Sequence, residues 1–216
     1  MKIVIQKFGG TSLETKELRK KAAQHVLHKV QEGFKPVVVV SAMGRKGSPY
    51  ATDTLLSLAL NTNKDIHPRE KDLLLSCGEL ISATIMVQTL NNLGMQAATL
   101  TGAQAGIITN GNFGNCHVKK VIPHKILEFL EEDIIPVVAG FQGINENGDI
   151  TTLGRGGSDT TASVLAAALK AELIEIYSDV EGIMSADPKI VEKAHLLKHA
   201  SYDEAVELAY KGAEVI

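Results

Sequence analysis

Pro36-Val37-Val38-Val39-Val40 runs straight into Ser41-Ala42-Met43-Gly44. Four consecutive β-branched residues without polar alternation mark a strand buried on both faces, the condition of a central strand in a parallel sheet. Ile3-Val4-Ile5, Ile134 to Ala139 and Leu173 to Tyr177 have the same character. Between them lie helical patterns: Glu17 to Gln31, with Leu18, Ala22, Val26 and Val30 in one stripe, then Glu79 to Asn92, Pro123 to Glu131 and Ser158 to Lys170. Alternating strands and helices imply right-handed βαβ crossovers and an α/β fold. The last helix is apolar nearly all round from Ala162 to Leu169 and is expected between layers, with Ser158 and Asp159 as capping residues. Asn110 to Asn115 reads as a hairpin or loop, Asn145 to Gly148 as a turn, and Tyr202 to Tyr210 as a helical tail.

At 216 residues, one domain spanning 1–216 is the expectation. Aromatics make up 4% with no Trp, and 19 glycines supply turns, which suits helices layered on strands. The formal net charge is −3 and the densest basic cluster is Arg19-Lys20-Lys21, so a nucleic-acid partner is not expected. Uninterrupted apolar runs such as Val37 to Val40 fall far short of the roughly 20 residues that cross a bilayer, and the N-terminus starts with strand-like residues instead of a leader. A soluble cytoplasmic protein without a membrane partner is expected. Cys77 and Cys116 form no CxxC and read as reduced structural thiols. His195 and His199 stand at i, i+4 without an HExxH pattern, so no protein metal site is assigned.

Four strand ends carry small or polar residues: Lys7-Phe8-Gly9-Gly10-Thr11-Ser12, Ser41-Ala42-Met43-Gly44, Gly140-Phe141-Gln142-Gly143 and Ser178-Asp179. In open parallel sheets ligands bind beyond the carboxyl ends of the strands, so these loops are expected on one edge. Paired glycines let peptide N–H groups approach phosphate oxygens, and Lys7 supplies a cation for charge that develops in transfer. Gly154-Arg155-Gly156-Gly157-Ser158-Asp159 joins a glycine turn, an arginine fork and a helix N-terminus, a combination able to hold an anion from three directions. Neither GxxxxGK[ST] nor GxGxxG occurs, so a phosphate site here belongs to another class. Ser76-Cys77-Gly78-Glu79 reads as a helix opening, where Glu79 could simply favour the helix dipole. Each feature has an ordinary alternative when taken singly: a tight turn with a solvated lysine, a surface arginine, a first-turn acid, or, for Ser178 to Gly182 and Ala186-Asp187-Pro188, a plain turn.

Taken in order, KFGGTS (Lys7 to Ser12), VVVVSAMG (Val37 to Gly44), LLSCGE (Leu74 to Glu79), TTLGRGGSDTTA (Thr151 to Ala162) and YSDVEGIMSADP (Tyr177 to Pro188) resemble the aspartate kinases of the amino acid kinase family. SAMGRKGSPYATD, Ser41 to Asp53, is most similar to bacterial aspartokinases of the diaminopimelate branch, the first step toward lysine, threonine and methionine. The resemblance implies a three-layer αβα sandwich around a mainly parallel sheet of about eight strands. It further implies transfer of the ATP γ-phosphoryl group to the side-chain carboxylate of L-aspartate, giving 4-phospho-L-aspartate and ADP. Lys7 and Asp159 are then the catalytic residues. ATP, with Mg²⁺ carried on it, would meet Lys7, Phe8, Gly9, Gly10, Ser41, Ser178, Asp179, Met184, Ser185, Ala186, Asp187, Pro188 and Lys189. Aspartate would meet Thr52, Glu79, Arg155, Gly156, Gly157 and Ser158.

Three positions depart from the family pattern. Met184 stands where a Tyr is common, Lys189 replaces an Arg, and Glu214 occupies the place of a nucleotide-contacting Lys, where a carboxylate would repel triphosphate. The resemblance also implies a catalytic domain cut before its expected end, without regulatory ACT domains, and a homo-oligomer in the complete enzyme. The exposed apolar sheet edge is then expected to give association or partial disorder at the C-terminus. Two other readings stay open: a kinase of another small amino acid or carboxylate on the same fold, and an inactive binding or assembly module.

Overall fold

Val37, Val38, Val39 and Val40 are all fully buried, because the strand they form lies in the middle of a five-stranded sheet. The computed structural model describes residues 1–180, 182–186, 191, 193–201 and 203–204. The chain divides into two compact units, Met1–Ser178 and Asp179–Ile216. In the first, β1 (Ile3–Phe8), β2 (Lys35–Val40), β3 (Ala97–Leu100), β6 (Ile135–Ala139) and β9 (Leu173–Tyr177) form a wholly parallel sheet in the order β3-β6-β2-β1-β9. β4 (Ile107–Thr109), β5 (Val118–Val121), β7 (Gln142–Ile144) and β8 (Ile150–Thr152) form a second, mixed sheet, β5-β4-β7-β8. The α/β architecture stands, but the described strands divide into sheets of five and four where one sheet of about eight was expected.

The alternation along β2 explains the layering. Val38 and Val40 pack with Ala22, Ala23 and Val26 of α1 (Lys16–Gln31) and with Ala83, Met86 and Leu90 of α3 (Pro68–Asn91). Val37 and Val39 pack on the other face with Ile126 and Leu130 of α4 (His124–Glu131) and with Ala162, Leu165 and Leu169 of α5 (Gly157–Leu169). Each of the Val, Leu, Ile and Met side chains among these contributes about 1.5–3 kcal/mol by burial. α5 is an outer helix and not one between layers: Ser163 and Ala167 face solvent, and alanine tolerates both environments. On α1 the stripe drifts, so Ala23 joins the core and Val30 is exposed. β9 is one edge of the five strands, with Leu173 and Ile174 exposed, although its sequence reads as central.

Two helices differ from the sequence reading. α2 (Thr52–Thr62) lies in a stretch without a strong periodic signal. α3 starts at Pro68, with His67 as N-cap accepting from Arg69 N–H, and not at Ser76-Cys77-Gly78-Glu79. Glu79 is therefore in the middle of a 24-residue helix, and its role as a first-turn acid is overturned. α3 is also the one described helix long and apolar enough to cross a membrane, with mean hydropathy 1.6, a feature hidden from a count of uninterrupted apolar runs. It packs on the sheet as a core helix and carries buried Asp72 and Glu79.

Register aligns the strand ends. Phe8 pairs with Val40 and Tyr177, and Val40 pairs with Ala139, so Gly9, Ser41, Ser178 and Gly140 all emerge from one edge. Asn110 to Asn115 joins the antiparallel pair β4 and β5, and Asn145 to Gly148 turns β7 into β8, as expected. In the second unit, Met184 bridges Leu196, and Ser201 and Glu204 form a reciprocal capping box. The helical tail read at Tyr202 to Tyr210 falls largely outside the described residues.

Candidate active site

Lys7 is the fifth residue of β1 and shares the face of Ile3 and Ile5, which packs against α5. Alternation therefore sends its side chain toward the N-terminus of α5, where its Nζ lies 2.8 Å from Asp159 Oδ1. The contact is a close ion pair more than an aligned hydrogen bond. The Lys7 side chain is 8% exposed and that of Asp159 26%. A buried ammonium held by one carboxylate, with two further N–H bonds to give, is suited to a second anion.

The β1 turn is built by close approach. A Cβ on Gly10 would lie 2.2 Å from the Ala42 carbonyl oxygen, and Gly44 N–H donates to Gly10 O at 2.9 Å. The first and second strand-end loops are thus zipped together backbone to backbone. Gly9 N–H donates to Tyr177 O (2.9 Å) and Ser12 N–H to Gly9 O (3.0 Å). The amide of Gly9, expected to face phosphate, is committed within the fold, which leaves those of Gly10 and Thr11 to a ligand. Phe8 is 1% exposed and its ring stacks on Tyr177 at 4.6 Å, so its side chain serves the core.

The turn before α5 needs its glycines. Gly154 (φ 76°) and Gly156 (φ 71°) sit in the left-handed region, and a Cβ on Gly154 would meet Asn115 Oδ1 at 2.6 Å. Gly156 is the N-cap, without a side-chain cap, so Ser158 and Asp159 lie inside the helix and do not cap it. Asp159 is a first-turn acid, and Ser158 is buried against Gly140. Arg155 is exposed, and its guanidinium makes no hydrogen bond or ion pair among the described residues.

A cavity of about 260 Å³ is lined by Ser41, Thr52, Glu79, Phe141 and residues 154–159. It brings together Ser41 and every residue expected to meet the amino acid: Thr52, Glu79, Arg155, Gly156, Gly157 and Ser158. Glu79 is 2% exposed; its Oε1 accepts Ala42 N–H at 3.1 Å and its buried Oε2 has no partner. Burial pushes the carboxyl up to about 8, against the backbone bond that favours the ionised form. An unpartnered carboxylate oxygen in such a cavity is built to accept a cation.

Of the remaining nucleotide residues, Ser178 ends the first unit beside Gly9. Asp179, Met184, Ser185 and Ala186 belong to the second unit, where Ser185 N–H donates to His195 O at 2.9 Å. Asp187, Pro188, Lys189 and Glu214 lie outside the described residues.

Sequence reasoning missed four contributors. Phe141 lines the cavity at φ 67°, a costly conformation for a bulky residue, held by its N–H donating to Thr161 Oγ1 and its carbonyl accepting Leu153 N–H. Only its place in a strand-end loop pointed to it. Arg45 and Lys46 line an adjoining cavity of about 380 Å³ that shares Thr52. Asp72 is wholly buried on α3 and bonded to the strand end that leads to Arg155, with no motif to reveal it.

Residues 2–216 match the family model described as "Amino acid kinase family". The chain is 53% identical over 216 residues to Aspartokinase 1 of Bacillus subtilis, covering all of this chain and 54% of that protein. It therefore spans about half the length of that relative. Among solved structures it is similar to aspartate kinase from Synechocystis, with a TM-score of 0.80 and 43% identity over 99% of this chain and 34% of that one. It is also similar to Escherichia coli aspartokinase III in complex with aspartate and ADP, with a TM-score of 0.83 and 28% identity over 100% of this chain and 57% of that one.

Proposed function

Since the chain belongs to the amino acid kinase family over residues 2–216, we propose that it is the catalytic domain of an aspartate kinase. The reaction is transfer of the ATP γ-phosphoryl group to the side-chain carboxylate of L-aspartate, giving 4-phospho-L-aspartate and ADP. The observation that carries this reading is the joining of a buried Lys7–Asp159 pair to a cavity that holds an unpartnered carboxylate oxygen and an arginine unpaired among the described residues.

The chemistry asked of the protein is modest. An aspartate side chain has an ordinary pKa near 3.9, so the nucleophile is ionised at neutral pH and needs no general base. Catalysis rests on alignment and on neutralising charge spread over the transferring group. Lys7 stabilises that group, and Asp159 orients Lys7 through the 2.8 Å contact. Gly10 and Thr11 N–H groups, with Ser41 near the reacting atoms, hold phosphate oxygens, and the N-terminus of α5 adds positive potential. Arg155 takes the substrate α-carboxylate as a bidentate pair, and Glu79 accepts the ammonium on Oε2. Of the residues read for the nucleotide, Ser178 lies beside Gly9 on the same strand-end edge as Lys7 and Ser41. Mg²⁺ carried on the ATP phosphates would neutralise part of their charge. The exposed apolar residues Leu58, Leu73, Leu80 and Ile85 on α2 and α3 support assembly in the complete enzyme.

The test is coupled ADP release with aspartate against glutamate, on this chain and on a protein extended to the length of its relatives. Aspartate-dependent release is expected. No release with either amino acid in the extended protein would refute the assignment.

A further inference from the structure

Asp72 is 0% exposed, and both its oxygens are occupied at one place. Oδ2 accepts Thr152 N–H at 2.8 Å and Gly114 N–H at 2.9 Å, while Oδ1 accepts the Thr152 hydroxyl at 3.0 Å. Thr152 is the last residue of β8 and stands three residues before Arg155. Gly114 belongs to the loop that flanks the same segment: Cys116 N–H donates to Thr152 O at 2.9 Å, and Asn115 presses on Gly154. Every bond of this carboxylate therefore fixes the approach to the arginine turn, and none goes elsewhere in the core.

Asp72 also stands seven residues, two helical turns, from Glu79 on the same buried face of α3. Between them the Ser76 carbonyl accepts Gln142 Nε2, which ties the third strand-end loop to the same helix. One rigid helix thus carries, two turns apart, the acceptor assigned to the substrate ammonium and a clamp on the segment that delivers the group assigned to its α-carboxylate. We infer that Asp72 is a positioning residue: by holding Thr152 and Gly114 it sets the placement of Arg155 relative to Glu79, and so the affinity of the site for its amino acid, without touching the substrate. This inference rests on the reading of the cavity given above.

The carboxylate can be replaced in kind. In Asp72→Asn the amide oxygen still accepts both N–H groups, and its NH₂ donates to Thr152 Oγ1, reversing the direction of that bond. Asp72→Ala removes all three acceptor contacts, and Thr152→Val only the hydroxyl one. In the extended protein, Asp72→Ala is expected to raise KM for aspartate about tenfold or more, the usual scale for losing charged hydrogen bonds or for a small misplacement, with KM for ATP within about twofold. Asp72→Asn restores the parent value. Amide hydrogen exchange on the unliganded protein supplies a readout independent of activity: Thr152 and Gly114 exchange at least about tenfold faster in Asp72→Ala, with the β2 amides unchanged. If Asp72→Ala does not fold, Thr152→Val carries the test, with a rise in aspartate KM of about twofold to fivefold and no change for ATP. Unchanged protection of Thr152 and Gly114, unchanged aspartate KM in an active parent, or both KM values rising together without rescue by Asn would each overturn the inference. A parent inactive toward aspartate would instead refute the proposed reaction, and the exchange result would still decide whether Asp72 holds the turn.

Discussion

Glu79→Gln removes a charge from a buried site while keeping its shape, and the bond from Ala42 N–H to the remaining oxygen survives. In the unliganded protein, burial pushes the Glu79 carboxyl from its ordinary 4.5 up to about 8. Between those values the folded state keeps a proton that the unfolded chain gives up, so stability falls as pH rises through this window, and the loss is complete above about pH 8. At 1.36 kcal/mol per pH unit the loss is on the order of 5 kcal/mol, against total stabilities of about 5–15 kcal/mol. Glutamine does not ionise and escapes it. The variant should therefore match the parent within about 1 kcal/mol near pH 4, apart from a pH-independent offset for its unpartnered amide, and gain on it steadily to about pH 8. Urea unfolding at a series of pH values measures the difference directly. Parallel profiles from pH 4 to 9 would refute the claim that burial, with one oxygen unpartnered, holds the carboxyl protonated. The same logic fixes a binding signature: a substrate ammonium restores the carboxylate, so aspartate binding near pH 6.5 should release about one proton, seen by calorimetry in buffers of different ionisation enthalpy.

Lys7→Met should lower kcat by about 10²–10³ or more with little change in KM for aspartate, since it removes a cation that acts on the transferring group; steady-state kinetics measure it. Gly10→Ala places a Cβ 2.2 Å from the Ala42 carbonyl and should cost about 1–3 kcal/mol, with the nucleotide KM raised, because the two zipped loops must part. Arg155→Lys keeps the charge and loses the fork, so KM for aspartate should rise about tenfold while the melting temperature stays within about 1 °C, the side chain being exposed.

Much of the framework was legible because buried parallel strands announce themselves: Val37 to Val40 cannot alternate with polar residues when helices cover both faces. The convergence of strand ends followed from parallel pairing alone, and Lys7 reaches Asp159 because residue 7 shares a face with Ile3 and Ile5. α3 was misread for a physical reason. Its buried face holds Asp72, Ser76, Glu79 and Ser82, so polar residues interrupt the apolar stripe where the site is built. That interruption moved the helix start to Ser76 and made Glu79 look like a dipole acid. The division into two sheets was hidden because β4, β7 and β8 are three residues each, too short for a period to register. Asp72 bonds to partners 42 and 80 residues away, a relation that no local pattern carries.

Lys7 is proposed to drive phosphoryl transfer onto a carboxylate oxygen, and the bond formed can be trapped. An acyl phosphate reacts with hydroxylamine to give a hydroxamate, so incubation with MgATP, L-aspartate and hydroxylamine reads the product chemistry itself. Aspartyl hydroxamate is expected from the extended protein, at least about 10²-fold less from its Lys7→Met form, and little with glutamate. No hydroxamate from the parent, or equal amounts from the two proteins, would contradict it.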